Sequence, residues 1–409
     1  MLGTLVGLWI ARYLGPEQYG VLGYCTALVT LIGFLPSLGL DAVVKRDFLI
    51  KPGKAAEVMA SALVLRLVAG GASYIFVLAA TLGRWGMHGE EPRLVAILGL
   101  LSFQPALLAP DLWLQASLHA RSSVTVQLFA LLLCSLLRIT LIVAGGSLAE
   151  FAFIVVVEMA LTSTGLWLAA YRLEFRLSLY SVQRAVIKSL LREAWPLMLS
   201  TLAITVYMKI DEVMLRQLAG PAAVGIYSAA VKLSELWYFI PVAVASSILP
   251  ALLRSKQNDA GRYVQRQQQY YDLSAAAAYG LSIPIALLAP WIVRLAYGAE
   301  FAAAGPILAV HIWSSIFVFL GVARQQWLVN EGLQKFLLVS TCAGAAANVA
   351  LNFVFIPRWG GVGAAWATVI SYGLAAWLAS YFHHEVRQSA AMQTRALLIP
   401  ILAWRYLRD

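Results

Sequence analysis

The chain has 409 residues, of which 61% are hydrophobic and 12% charged, and its net charge is +10. A soluble domain carries roughly 25% charged residues, so there is no soluble core to look for. Repeated apolar runs of about 20 residues, each able to cross about 30 Å of hydrocarbon, describe a polytopic helical membrane protein.

A β-barrel would show polar alternation in runs of about ten, which is absent. Cys25, Cys134 and Cys342 each sit alone in apolar sequence, without C-x-x-C or Cys/His spacing. Neither a disulfide framework nor a zinc site is indicated. The five histidines read as structural or interfacial.

In chain order, Met1 to Leu14 is apolar but gives a helix of only about 21 Å. It reads as the second half of a span whose start is missing. The turn ARYLGPEQYG follows. A second span covers about Tyr19 to Val44, contains Pro36, and ends among Asp41, Lys45, Arg46 and Asp47. A third covers about Ala60 to Leu82. A fourth, about Leu94 to Trp113, contains Pro105 and Pro110 and reaches Asp111 at its end. The fifth (Val124 to Ala144) encloses Arg138, and the sixth (Phe151 to Tyr171) encloses Glu158.

Tyr171 to Trp195 is basic and amphipathic, the pattern of a helix lying on the membrane surface. The seventh span opens on Pro196, a favoured first helical residue. It ends near Gln217, and the eighth runs from about Val224 to Leu253. Four more follow, starting near Tyr271, Ala304, Phe336 and Val362. The expected fold is all-α: about twelve transmembrane helices in two pseudo-symmetric six-helix bundles around a central cavity. The N-terminal bundle would be 1–171, an amphipathic cytoplasmic linker 172–195 and the C-terminal bundle 196–384. Residues 385–409 would be a cytoplasmic tail or a truncated further helix.

Loop charge tests this arrangement. With the first turn outside, the inner loops and flanks hold eighteen Lys and Arg residues. The outer ones hold six: Arg12, Arg84, Arg93, Arg216, Arg294 and Arg358. The positive-inside rule then places both termini in the cytoplasm. It also accounts for the basic balance without nucleic acid.

Two turns resemble each other. Arg12-x-Leu14 precedes Gly15-Pro16-x-x-x-Gly20 and Tyr24; Arg216-x-Leu218 precedes Gly220-Pro221-x-x-x-Gly225 and Tyr227. They lie half the chain apart, and each joins an odd span to an even one on the outer side. Such a spacing predicts a parallel repeat, with substrate between the two halves.

Charges within spans are costly, from about 3 kcal/mol up to 10 or more. Lys209, Glu212 and Arg216 fall within about 60° on one helix face, and both pairs have ion-pair spacing. Asp211 points elsewhere. Ser228, Lys232 and Glu235 share a face of the next span, and Arg138 and Glu158 stand in a comparable relation across the turn between spans five and six. These charges read either as self-neutralising pairs that lock helices together or as a cavity that binds an anionic headgroup. In the second reading Lys209, Lys232, Arg138 and Arg216 meet the cargo, while Asp211, Glu212, Glu235, Glu158 and Asp111 supply counter-charge or couple to an ion. Arg216 has snorkelling to the interface as a competing role. Asp41, Arg46 and Arg324 are candidates for an inner gate.

The stretches ARYLGPEQYG, SLGLD, PDLWLQA, KIDEVML, VGIYSAAVKLSE, YFIP with ILPAL, and IPRWGGVGAAWAT resemble the polysaccharide-export flippases, the O-antigen (Wzx-type) and related oligosaccharide flippases. These belong to the superfamily that also holds the multidrug extruders and lipid II flippases. The resemblance implies alternating access. It implies a cargo of undecaprenyl-diphosphate-linked oligosaccharide, carried from the cytoplasmic to the outer leaflet of the bacterial inner membrane for O-antigen, capsule or exopolysaccharide assembly. It further implies contact with membrane lipids, coupling to a proton or sodium gradient with no bound cofactor, and partnership with polysaccharide polymerase and chain-length machinery. An ion-coupled small-molecule antiporter of the same fold is the alternative. An enzyme acting on lipid-linked sugars is disfavoured, because the chain has no D-x-D pair and every outer loop is short.

Overall fold

The computed structural model describes residues 2–37, 39–50, 52–85, 89–173, 175, 181–258 and 260–400. Every regular element among them is helical. Nine helices among these residues are long and apolar enough to cross a membrane. Two of them, Gly3–Ser37 and Gln334–Phe382, contain a glycine at which helical geometry breaks, Gly15 and Gly360. The protein is therefore an all-α, polytopic membrane protein. The number of spans depends on how the broken helices are divided. Parts of the expected linker (174 and 176–180) and tail (401–409) lie outside the described residues.

The chain forms two compact units. One comprises Met1–Leu14 and Val21–Val213, the other Gly15–Gly20 and Met214–Asp409.

α1 (Leu2–Ile32) is two helical runs joined at Gly15, whose backbone sits at φ 69°, ψ 172°. That region is essentially closed to residues with a Cβ, and Pro16 then opens the second run with its φ already helical. The second span was expected over about Tyr19 to Val44, with Pro36 inside it. It is interrupted at Gly33 and Gly39, which set off α2 (Phe34–Ser37) and α3 (Leu40–Ile50). Pro36 lies in α2 and lacks the N–H that would tie it to the preceding turn. α4 (Ala55–Trp85) follows.

The fourth span is broken as its prolines require. α5 (Glu90–Leu98) passes through a 3-10 turn at Gly99–Phe103 into α6 (Gln104–Leu107) and α7 (Ala109–Ala116). At the break the Asp111 N–H reaches back only to the Leu108 carbonyl, at 3.0 Å. The Leu107 carbonyl instead accepts from Ser163 Oγ at 3.0 Å and Trp167 Nε1 at 3.1 Å. The Pro105 carbonyl accepts from Arg66 Nη1 at 2.8 Å. Backbone groups freed in hydrocarbon must find such partners.

Arg66 is almost fully buried and pairs with the Asp41 carboxylate at 2.5 Å, whose side chain is 64% exposed. The two substitutions at this pair should therefore differ. Asp41→Asn leaves a buried guanidinium without its counter-charge and should cost about 3 kcal/mol. Arg66→Met leaves only an exposed carboxylate and should cost less. Detergent unfolding titrations of both variants check the order.

α8 (Ala120–Ala144) and α9 (Leu148–Arg172) form a hairpin. Gly145 ends α8 in the left-handed region, and the Ser147 N–H donates to the Glu150 carboxylate at 2.5 Å to open α9. Tyr13 Oη donates to the Gly146 carbonyl at 3.0 Å and holds the turn. Outward-facing Phe129, Leu132, Leu136 and Val143 on α8 are exposed, as a helix surrounded by lipid requires. α10 (Arg184–Leu218) is one continuous helix, so no helix begins at Pro196. The amphipathic stretch before it is itself helical, and a proline there forfeits a single backbone bond.

In the second unit, α11 (Pro221–Glu235) starts after Gly220, at φ 87°, ψ 175°. Gly15 and Gly220, equivalent in the repeat, thus share one unusual backbone conformation. The repeat also packs on itself. A Cβ on Gly20 would overlap the Pro221 carbonyl oxygen and lie 2.8 Å from Gly225 N; a Cβ on Gly225 would overlap the Pro16 carbonyl oxygen and lie 2.9 Å from Gly20 N. The two Gly-Pro-x-x-x-Gly runs cross at their glycines, each on the other's proline.

The unit continues through α12 (Phe239–Asn258), α13 (Ala260–Tyr297), α14 (Ala304–His311), α15 (Ser314–Asn330), α16 (Gln334–Ala376) and α17 (Arg387–Leu397). α17 is pinned to α13 by Gln268 Nε2 on the Met392 carbonyl (3.1 Å), Tyr271 with Ser389 (2.6 Å) and Tyr279 Oη on the Leu397 carbonyl (3.0 Å). Tyr271, Phe319, Leu320, Trp327 and Met392 belong to the core between these helices.

Candidate functional site

The first unit holds a cavity of about 620 Å³ where the broken segment α6–α7 opens towards α8 and α9. Its wall is amphipathic. Leu101, Leu108, Val124, Leu128, Leu131, Val155 and Met159 supply the apolar part. Gln104, Asp111, Gln127, Glu158 and Thr162 supply the polar part. No Lys or Arg is among these described lining residues.

Two polar systems meet at this cavity. Asp111 accepts from Ser123 Oγ and from Gln115 Nε2, the latter at 2.8 Å. Gln115 Oε1 in turn accepts from Lys45 Nζ at 2.7 Å, and Gln127 Nε2 donates to Ser123 Oγ at 3.0 Å. The result is a string from Lys45 through Gln115, Asp111 and Ser123 to Gln127. On the other side, Glu158 accepts from Arg138 Nη2 at 2.6 Å, with 13% of the arginine side chain and 27% of the carboxylate side chain exposed. Asp111 is held by neutral donors, while Glu158 is held by a charge.

The other candidates are placed as follows. On α10, Lys209 Nζ bonds Glu212 Oε1 at 2.8 Å, and both Asp211 and Glu212 are buried. Arg216, Lys232 and Glu235 lie in the second unit, Lys232 exposed and the others half-buried, each engaged with neighbouring groups. Arg46 bridges α3 to α10 through Asp47 (2.8 Å) and Glu193 (2.5 Å). Its guanidinium pKa is raised, first by the bond to Asp47 and then by that to Glu193. Arg324 is buried in the second unit, bonding Ser380 at 3.0 Å and Ser340 at 3.2 Å beside the Phe336 ring. Asp111 and Glu158 are the two members of the set that line one cavity.

Sequence reasoning missed Lys45, Gln115, Ser123 and Gln127. The available signal was spacing: Asp111–Gln115 and Ser123–Gln127 are both i,i+4 pairs. Among the described residues no group of three His, Cys, Asp or Glu side chains is placed to hold a metal ion.

A family model described as polysaccharide biosynthesis protein matches residues 1–256, more than half of the chain. The chain belongs to that family. A second model, MatE, matches residues 196–354 of this family member. A putative O-antigen transporter of Shigella dysenteriae is 25% identical over 182 residues, 44% of this chain and 44% of that protein. The chain spans less than half the length of the curated relatives it matches. Among solved structures, the inward-facing conformation of a multidrug resistance MATE family transporter of the MOP superfamily is similar with a TM-score of 0.76, at 19% identity over 96% of this chain and 95% of that one. The lipid II flippase MurJ in an inward closed conformation gives 0.71, at 14% identity over 100% and 90%. The chain shares the fold of these two solved structures.

Proposed function

We propose that this chain moves its cargo across the bacterial inner membrane by alternating access, driven by a proton or sodium gradient through the carboxylates of the first unit. The observation that carries this is the cavity wall, where Asp111 and Glu158 face an otherwise largely apolar space beside a proline-broken helix. Intramembrane carboxylates of this kind mark ion and proton routes, and broken helices are where transporters place their sites.

Two cargo classes compete. The geometry favours ion-coupled export of a small molecule. The cavity presents carboxylates and amides, and two of the intramembrane bases are already neutralised, Arg138 by Glu158 and Lys209 by Glu212. A cavity offering fixed positive charge to a diphosphate is not what this wall provides. The family and the putative O-antigen transporter of Shigella dysenteriae favour the second class, an undecaprenyl-diphosphate-linked oligosaccharide flipped to the outer leaflet. For that cargo the intramembrane bases Lys209, Lys232 and Arg216 would each be needed for export, and the product would pass to polymerase and chain-length machinery.

One experiment separates them. The full chain is expressed in a strain lacking its own oligosaccharide flippase. Surface polysaccharide, inner-leaflet lipid-linked repeat units and tolerance to a panel of cationic drugs are measured together. Drug tolerance without polysaccharide rescue supports the small-molecule reading. Rescue that is lost in Lys209→Ala and Lys232→Ala supports the flippase. Neither response from a chain shown to be in the membrane removes both.

A further inference from the structure

α10 is 35 residues long, about 52 Å at 1.5 Å per residue. The hydrocarbon of a bilayer is about 30 Å thick, and the headgroup layers bring the total to about 40–45 Å. The helix ends at Leu218, beside the Gly220 turn. Counted back from that end, Trp195 lies about 35 Å away, and Arg192, Lys188 and Arg184 lie about 39, 45 and 51 Å away. With Leu218 at one edge of the hydrocarbon, the first turns of α10 stand in and beyond the headgroup layer of the opposite membrane face.

This part of the helix has two faces. Leu190 and Ala194 are buried in the core of the first unit, with Val186 packed against it, so the segment is held on the protein. At 100° per residue, Arg184, Lys188, Leu191, Arg192 and Trp195 fall within about 100° on the other side. All five are exposed, Leu191 at 42% and Trp195 at 57%. The acid of this segment, Glu193, points about 140° away from Lys188. It accepts from Arg46 Nη2 at 2.5 Å and from Ser189 Oγ at 3.0 Å. Among the described residues, none of the three basic side chains makes an ion pair or a hydrogen bond within the protein.

Three unpaired cations on one fixed face require anions from outside the chain, and position decides which. Leu191 and Trp195 put apolar and aromatic surface on the same face at the hydrocarbon edge, where tryptophan favours the interface. A soluble anion has no use for that surface. Basic clusters just beyond a span attract anionic lipid, and guanidinium and ammonium groups make short, charge-assisted bonds to phosphate oxygens. We infer that this face of α10 binds anionic phospholipid of the surrounding bilayer, with Arg184, Lys188 and Arg192 on the phosphates and Leu191 and Trp195 against the acyl chains. The inference concerns bilayer lipid on a lipid-facing surface of the first unit and does not depend on which cargo the protein carries.

The full chain is purified in mixed micelles containing phosphatidylglycerol or phosphatidylcholine. Native mass spectrometry counts the lipid retained, and thermal unfolding measures the stabilisation. Phosphatidylglycerol should be retained in preference and should raise the unfolding midpoint. The rise should shrink in about 1 M salt, where charges are screened beyond about 3 Å. Removing any one base should weaken retention roughly fivefold. The triple variant Arg184→Gln, Lys188→Gln, Arg192→Gln should lose the preference while keeping the wild-type midpoint in phosphatidylcholine. A second triple variant, Arg121→Gln, Arg254→Gln, Lys335→Gln, removes the same charge from exposed positions elsewhere and should keep the preference. Equal retention of the two lipids by the wild type overturns the inference. So does a preference that survives in the first triple variant, and so does one lost equally in both, which would make net charge the cause. Retention of farnesyl diphosphate but not of phosphatidylglycerol through the same three residues would assign the face to a polyprenyl cargo, and overturns it too.

Discussion

Replacing Arg138 by leucine should cost the first unit about 3–5 kcal/mol, and replacing Glu158 by leucine in the same chain should return most of that. The asymmetry follows from the geometry. The single change leaves the Glu158 carboxylate in a membrane span without the guanidinium 2.6 Å away. The double change removes both charges and fills the space with hydrocarbon. Since 27% of the Glu158 side chain is exposed and it lines the cavity, part of the penalty is relieved by water, and the lower end of the range applies. Unfolding in detergent measures the stability arm as a double-mutant cycle. Transport measures the other. A pair that only locks α8 to α9 predicts a double variant as active as wild type. A pair that couples ion to cargo predicts a double variant that is stable and inactive. The reversed pair, Glu at 138 with Arg at 158, should keep the stability in either case.

Much of this was readable from sequence because local chemistry decided it. The Gly15-Pro16 and Gly220-Pro221 turns are where they were expected, since a glycine outside the region open to other residues and a proline at the first helical position leave little choice. The breaks at Pro105 and Pro110 followed from missing N–H groups. The i,i+3 pair Lys209–Glu212 needed only helical spacing.

What was hidden depends on which faces meet. The cavity exists because α8 turns Val124, Gln127, Leu128 and Leu131 towards α7 and α9, and no periodicity distinguishes that face from one that meets lipid. Gln115, Ser123 and Gln127 look like ordinary polar residues in a span until Asp111 is placed among them. Arg324 reads as a residue near a helix end. Its serine partners, Ser340 and Ser380, come from 16 and 56 residues further on.

Gly20→Ala and Gly225→Ala should each destabilise the second unit by about 3 kcal/mol or more, the upper end for overpacking. The obstacle is backbone. The added methyl at Gly20 meets the Pro221 carbonyl and Gly225 N, and at Gly225 it meets the Pro16 carbonyl and Gly20 N. A side chain in the way would change rotamer, but a carbonyl can yield only if its helix moves. Small residues at such a crossing let helix backbones approach within contact distance, where Cα–H groups donate weakly to the facing carbonyls. The neighbouring contacts add resistance, since Tyr19 packs edge-on to Phe301 at 6.1 Å and Phe301 is fully buried. The two substitutions act on one crossing, so the double variant should cost clearly less than the sum. Gly280, inside α13 with nothing within 4 Å of an added Cβ, supplies the control. Alanine there should be neutral or stabilising by up to about 1 kcal/mol. Thermal unfolding of the four variants in nanodiscs decides the matter. Gly20→Ala and Gly225→Ala behaving like Gly280→Ala would mean that the Gly-Pro-x-x-x-Gly runs do not cross at their glycines. A large loss at both, shared in the double variant, would mean the repeat is held by its own two copies, with each proline carbonyl seated where the other copy has no side chain.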